Sequence, residues 1–148
     1  MSISSQVQTK LKEAMKAKAK SRLTALRGIK AALQLATLEK NDGDLALSEE
    51  LKVLQKLAKQ RVDSMAIYKE QGRDDLFEVE ASELDVIQEF LPEPMDEDSL
   101  KELVKKVVVA EGASSLKDMG KVIKEVTKQA EGRADGKRIA QEVKSQLQ

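Results

Sequence analysis

The 148 residues include no histidine and no cysteine, which removes imidazole acid–base catalysis, thiolate nucleophiles, thiolate zinc sites, disulfides and every Ser-His-Asp triad. Any chemistry must run on carboxylates, lysines and hydroxyls. Two groups of residues have types and spacings suited to holding an anion. In the first, Lys10, Lys12, Lys16, Lys18, Lys20, Arg22, Arg27 and Lys30 enclose a single acid, Glu13, a pattern that attracts a phosphate backbone or an acidic protein surface. Helical spacing predicts that Lys12, Lys16 and Lys20 share one face. The same pattern also fits a solvated face that pairs with the acidic middle of the chain.

The second group is Gly132-Arg133-Ala134-Asp135-Gly136, followed by Lys137 and Arg138. The free amides of a helix starting there, two glycines that admit a ligand to the backbone, and three cations would converge on an anion. Lys117 and Lys121 precede it in the same helical pair and would contribute. The alternative is that Gly132 and Asp135 only cap a tight interhelical turn.

Other candidates fail on their chemistry. The acids Asp74, Asp75, Glu78, Glu80, Glu83 and Asp85 lack the spacing and sixth-position glycine of an EF-hand and read as a solvated or base-pairing surface. Ser114-Ser115-Leu116-Lys117 fits S-x-x-K, but the S-D-N and K-T-G partners are missing. No glycines are spaced as in dinucleotide or P-loop fingerprints. Tyr68, Phe77 and Phe90 are too sparse for a base-stacking platform and read as core. No catalytic residue, metal ligand or cofactor is therefore assigned.

Helices must position these groups. Val7, Leu11 and Ala14/Met15 recur at helical spacing, as do Leu23, Leu26, Ile29/Ala32 and Leu33, with a break near residues 18–21. Asn41-Asp42-Gly43-Asp44 is a turn, and Ser48 is the expected cap of a long helix burying Leu51, Leu54, Ala58, Val62 and Met65 and ending at Gly72. Leu84, Ile87 and Leu91 form the inner stripe of a fourth helix. Pro92 and Pro94 force extended backbone before them, so the expected division is a helical domain at 1–91, a linker at 92–95 and a helical domain at 96–148.

In the last segment, Asp96-Glu97-Asp98 opens a helix with Leu100, Leu103/Val104 and Val107, closed by Gly112. Ser115 and Asp118 resemble a capping box for a helix carrying Leu116, Met119, Ile123 and Val126, and Ile139, Val143 and Leu147 mark the last. Gly28 and Gly120 sit inside helical patterns, where close helix packing is the expected reason. Seven helices without a strand make the expected class all-α: an N-terminal helical bundle or hairpin portion and a small C-terminal three-helix domain.

Composition agrees. Apolar residues make up 41% but aromatics only 2%, so aliphatic side chains must fill the cores, as in helical bundles. The 26 bases and 26 acids cancel, which disfavours tight, non-specific duplex-DNA binding. That neutrality hides a dipolar layout, since residues 1–47 carry 9 bases and 4 acids, 48–95 carry 6 and 12, and 96–148 carry 11 and 10. Without a long apolar run or a signal-peptide core, the expectation is a soluble, cytoplasmic protein that does not engage a membrane.

The motifs Gly72-Arg73-Asp74-Asp75-Leu76, Glu89-Phe90-Leu91-Pro92, Gly112-Ala113, Asp118-Met119-Gly120-Lys121-Val122 and Gly132-Arg133-Ala134-Asp135-Gly136, with Leu26-Arg27 and Ala31-Ala32-Leu33 before them, resemble those of the GatB/YqeY family in order and across nearly the whole chain. Phe90 stands where the family has Tyr, and Lys124 where it often has Gly. The resemblance implies an all-helical fold whose C-terminal part is similar to the tail of the B subunit of aspartyl/glutamyl-tRNA amidotransferase, a tail that engages tRNA. Carried over to matching positions, it implies RNA contact by Asp118-Met119-Gly120-Lys121 and Gly132-Arg133-Ala134-Asp135-Gly136; with the neighbouring cations of the charge pattern, the candidate RNA-contacting residues are Lys117, Asp118, Gly120, Lys121, Gly132, Arg133, Asp135, Gly136, Lys137 and Arg138, and the basic N-terminal pattern adds Lys12, Lys16, Lys20, Arg27 and Lys30 as a secondary surface. It supplies no catalytic residue. The kinase-like cradle and amidase of the amidotransferase cannot fit into 148 residues, so a carbon–nitrogen ligase role with glutamine as amido donor would be by association. The expected function is a tRNA-binding or tRNA-associated accessory protein; the alternative is an adaptor docking on a protein partner in translation or on an amidotransferase complex.

Overall fold

The structure, a computed structural model, describes residues 2–148. Among them the expected all-α class is observed: seven α-helices, one single 3-10 turn and no strand. The helices group into two compact units divided between Leu91 and Pro92.

In the first unit, α1 (Ile3–Lys16) starts where the Ser2 hydroxyl accepts a hydrogen bond from the Ser5 amide. It buries Ile3, Val7, Leu11 and Ala14 at spacings of three and four, and leaves Met15 exposed. The chain then turns through Lys18 in the left-handed region, φ 56°, so Lys20 opens α2 (Lys20–Lys40) instead of extending the α1 stripe. The expected shared face of Lys12, Lys16 and Lys20 is thereby broken. Ala25, Leu26, Ile29 and Leu33 form the buried stripe of α2.

Helix α3 (Leu47–Glu70) corrects the expected Ser48 cap. Ala46 occupies the cap position and has no capping side chain, so the Glu49 carboxylate closes the turn from inside the helix by accepting from the Ala46 amide at 3.2 Å. Leu51 and Leu54 are buried, Ala58 and Met65 are half-buried, and Val62, expected inside, is 51% exposed. This 24-residue helix packs chiefly against α4 (Asp74–Gln88), with smaller contacts to α2 and α1. Gly72, φ 70°, supplies the left-handed residue after the cap. Val86, Ile87 and Phe90 carry the burial at the end of α4, with Leu84 and Leu91 only partly covered. Full burial of a residue such as Leu26, Ile29 or Leu54 contributes about 1.5–3 kcal/mol.

The second unit holds α5 (Glu97–Glu111), the 3-10 turn (Leu116–Asp118), α6 (Met119–Ala130) and α7 (Gly136–Leu147). Asp96 caps α5 by accepting from the Ser99 amide at 2.7 Å, and Gly112, φ 64°, ends it. The core is Leu100, Val104 and Val107 of α5, Val122, Val126 and Ala130 of α6, and Ile139, Val143 and Leu147 of α7. Leu116 is 48% exposed and Met119 and Ile123 are half-buried, because the 3-10 turn turns more tightly than an α-helix and resets the phase before α6 begins. The expected capping box is only half formed: the Ser115 hydroxyl caps nothing, while Asp118 Oδ2 accepts from the Ser114 amide at 3.0 Å. Gly28 and Gly120 are not sites of close packing, since a Cβ at either would meet nothing within 4 Å.

Candidate functional site

The residues implicated in RNA contact by the second unit fall into two groups at opposite ends of α6. Lys117, Asp118, Gly120 and Lys121 lie at its start; Gly132, Arg133, Asp135, Gly136, Lys137 and Arg138 follow its end. Twelve helical residues separate them by about 18 Å. The expected convergence of Lys117 and Lys121 on the glycine motif does not occur.

At the far end, Glu131 and Gly132 are both left-handed, with φ 49° and 81°, and turn the chain sharply. Asp135 then caps α7 by accepting from the Arg138 amide at 2.8 Å. A phosphate approaching this helix start would meet that carboxylate. The two arginines are engaged with the segment that follows the first unit: Arg133 Nε donates to the Glu93 carbonyl at 3.0 Å, and an Arg138 guanidinium nitrogen donates to the Met95 carbonyl at 2.7 Å. In return the Met95 amide donates to the Arg133 carbonyl at 2.7 Å. Residues 93–95 are thus fastened to the second unit, a role sequence reasoning missed. Lys137 and Gly136 stay exposed, and a Cβ at Gly136 would meet nothing within 4 Å.

At the near end, the Lys121 ammonium donates to the Glu111 carbonyl at 3.0 Å and lies 3.6 Å from the Glu111 carboxylate, closing the C-terminal end of α5. The hydrogen bond from Ser114 is the main cause that holds the Asp118 carboxyl below its ordinary value. Lys117 is exposed and makes no ion pair among the described residues.

The first unit answers whether its acidic helices neutralise the basic N-terminal segment. Arg22 meets Glu89 in a two-pronged contact at 2.6 and 2.9 Å, which lowers the Glu89 pKa chiefly through the hydrogen bond. The other α4 acids that pair do so elsewhere: Glu80 and Glu83 with Arg61, and Asp75 with Arg73. Glu13 is 3.5 Å from Lys10. Among the described residues, Lys12, Lys16, Lys18, Lys20, Arg27 and Lys30 make no ion pair. Lys30 lines an open groove of about 500 Å³ together with Val7, Leu33 and Leu38.

One buried charge escaped sequence reasoning: Glu50, 2% exposed, turns inward from α3. Its carboxylate accepts from the amides of Ile3 and Ser4 and from the Ser4 hydroxyl. Among the described residues no cluster of three or more acids is placed to hold a metal ion. No helix described is long and apolar enough to cross a membrane.

Comparison with known proteins adds two fungal relatives, each named altered inheritance of mitochondria protein 41, mitochondrial. The chain is 39% identical to that of Clavispora lusitaniae over 105 residues, 67% of this chain and 59% of the relative. It is 35% identical to that of Kluyveromyces lactis over 80 residues, 54% of this chain and 43% of the relative. The matched segments therefore span about half the length of these relatives. The profile of Yqey-like proteins matches residues 4–147, and the chain belongs to the YqeY-like family.

Proposed function

We propose that the chain is a non-catalytic accessory protein that binds structured RNA of the tRNA class through its phosphate backbone. The observation that supports this reading is the set of cations Lys12, Lys16, Lys18, Lys20, Arg27 and Lys30, which make no ion pair among the described residues. Unpaired lysines release counterions when they meet phosphates, and sparse aromatics leave shape rather than base stacking as the means of recognition. In the second unit, Lys117 and Lys137 are the exposed cations of the motif that remain unpaired, and they reach the same RNA in this reading. A place beside tRNA-dependent amidotransfer follows from the motifs shared with the amidotransferase tail, with the chemistry done by other chains. Translation in the cytosol, or in the mitochondrion that the relatives' names print, would supply such an RNA.

The test is a titration against total tRNA, duplex DNA and unstructured RNA at two salt concentrations. Preferential, salt-sensitive binding to tRNA is the expected result; equal binding to all three, or none, contradicts it. The adaptor reading draws on a different observation, the exposed Leu35 and Leu38 on the outer side of α2, 58% and 76% exposed. One stoichiometric protein partner retained after nuclease treatment would favour it.

A further inference from the structure

We infer that the dominant RNA-backbone contact is the turn between α1 and α2, formed by Lys12, Lys16, Lys18 and Lys20, and that Arg133 and Arg138 at the glycine motif are not part of it. The inference rests on the RNA-binding reading and names the surface responsible. Three observations lead there.

The first is charge. Between Lys10 and Leu38 the chain holds one acid, Glu13, and Lys10 lies beside it at 3.5 Å. Of the basic residues in that stretch, only Lys10 and Arg22 make ion pairs among the described residues. Asp75, Glu80 and Glu83 of α4, and Glu89 just after it, are held by Arg73, Arg61 and Arg22, and no other acid of α4 pairs with these lysines among the described residues.

The second is placement. Lys12 and Lys16 are one turn apart on the outer side of α1, opposite its buried stripe of Val7, Leu11 and Ala14. The chain reverses within three residues, fixed by the Lys18 amide donating to Met15 and the Ala19 amide donating to Ala14. Lys18 sits in that reversal and Lys20 opens α2 directly after it. All four lysines are exposed, and an ammonium on a flexible stem suits a phosphate as a mobile point charge.

The third is competition. A phosphate recruiting Arg133 or Arg138 must displace the Glu93 or Met95 carbonyl, and one entering the start of α7 must pass the Asp135 carboxylate. Among the described residues, the lysines at the turn have no ion-pair partner to give up. Their occupant is accordingly a polyphosphate chain of a folded RNA.

The experiment compares tRNA binding by the full chain, by K16Q/K18N/K20Q and by K56Q/K59Q/K69Q across a salt series. Asn at position 18 tolerates the left-handed backbone. The second triple removes the same charge from exposed, unpaired lysines of α3 in the same unit. The turn variant is expected to weaken binding about tenfold or more and to flatten the dependence of log K on log salt by roughly 2 to 3, while the α3 variant stays within about twofold of the parent. Equal losses in both triples would show that net charge alone matters and overturn the assignment. If the parent binds tRNA and the turn variant matches it, the turn is excluded while the RNA reading stands. If the parent fails to bind tRNA, the RNA reading falls and the surface assignment with it. Unchanged thermal unfolding of both triples shows that folding is intact.

Discussion

Ser4 and Glu50 are bonded twice: one carboxylate oxygen of Glu50 accepts from the Ser4 amide at 2.8 Å and from the Ser4 hydroxyl at 2.9 Å. The other oxygen accepts from the Ile3 amide at 3.2 Å. A carboxylate from α3 therefore satisfies the first free amides of α1 and complements its dipole from a buried position. Glu50→Gln turns an amide donor toward these donors, and the expected cost is about 2 kcal/mol or more; Ser4→Ala removes one bond and costs about 1 kcal/mol. Urea unfolding, with amide exchange of α1 as the local readout, measures both. A Glu50→Gln protein with parental α1 protection would contradict this role.

The arginines of the glycine motif are expected to act on stability before they act on binding. Arg138→Ala frees the Met95 carbonyl and Arg133→Ala frees the Glu93 carbonyl. Each loss of about 1 kcal/mol raises local opening roughly fivefold, read as faster limited proteolysis around residues 92–95. Parental cleavage rates in both variants would show that these bonds do not hold the segment.

Gly28→Ala and Gly120→Ala should each stabilise the protein by about 0.5–1 kcal/mol, since neither glycine has a left-handed backbone and a Cβ at either meets nothing within 4 Å. The urea midpoint gives the answer. A lower midpoint would mean that another molecule or an alternative packing approaches the glycine.

The acid limb of stability should depend on the five carboxyls held below their ordinary values: Glu89 chiefly by its hydrogen bond from Arg22, Asp96 by the Ser99 amide, Asp118 by the Ser114 amide, Glu49 by its hydrogen bond from Lys40 and Asp75 by that from Arg73. A carboxyl lowered in the folded state stabilises fully above its unfolded pKa, and that stabilisation is lost as pH falls through the folded value. Melting temperature should be level from about pH 7 to 5 and fall below about pH 4. Asp118→Asn keeps an acceptor for the Ser114 amide but removes that group's titration, so its acid limb should be shallower than that of the parent. A parental acid limb in this variant would contradict the assignment.

Helix stripes were legible wherever apolar spacing and a cap agreed, as in Val7–Leu11–Ala14, Leu100–Val104–Val107 and Ile139–Val143–Leu147. Phase failed where a local device intervened without an apolar signature: the left-handed Lys18 separated Lys20 from α1, and the 3-10 turn exposed Leu116. Val62 was misplaced because periodicity marks one side of a helix but not how far along it a neighbour extends. For the candidate site, composition identified the cations but not their partners. Sequence spacing cannot show that Arg22 reaches Glu89, 67 residues away, or that Arg133 reaches back 40 residues to Glu93. These long-range bonds separate the unpaired lysines from the engaged arginines.

Sedimentation velocity of the purified protein mixed with equimolar total tRNA at about 150 mM salt tests the central claim most directly, because it registers a complex without labelling or immobilisation. The account predicts a faster-sedimenting boundary that contains both components and separates as salt is raised. Two boundaries that migrate as the free protein and the free tRNA at both salt concentrations would contradict it.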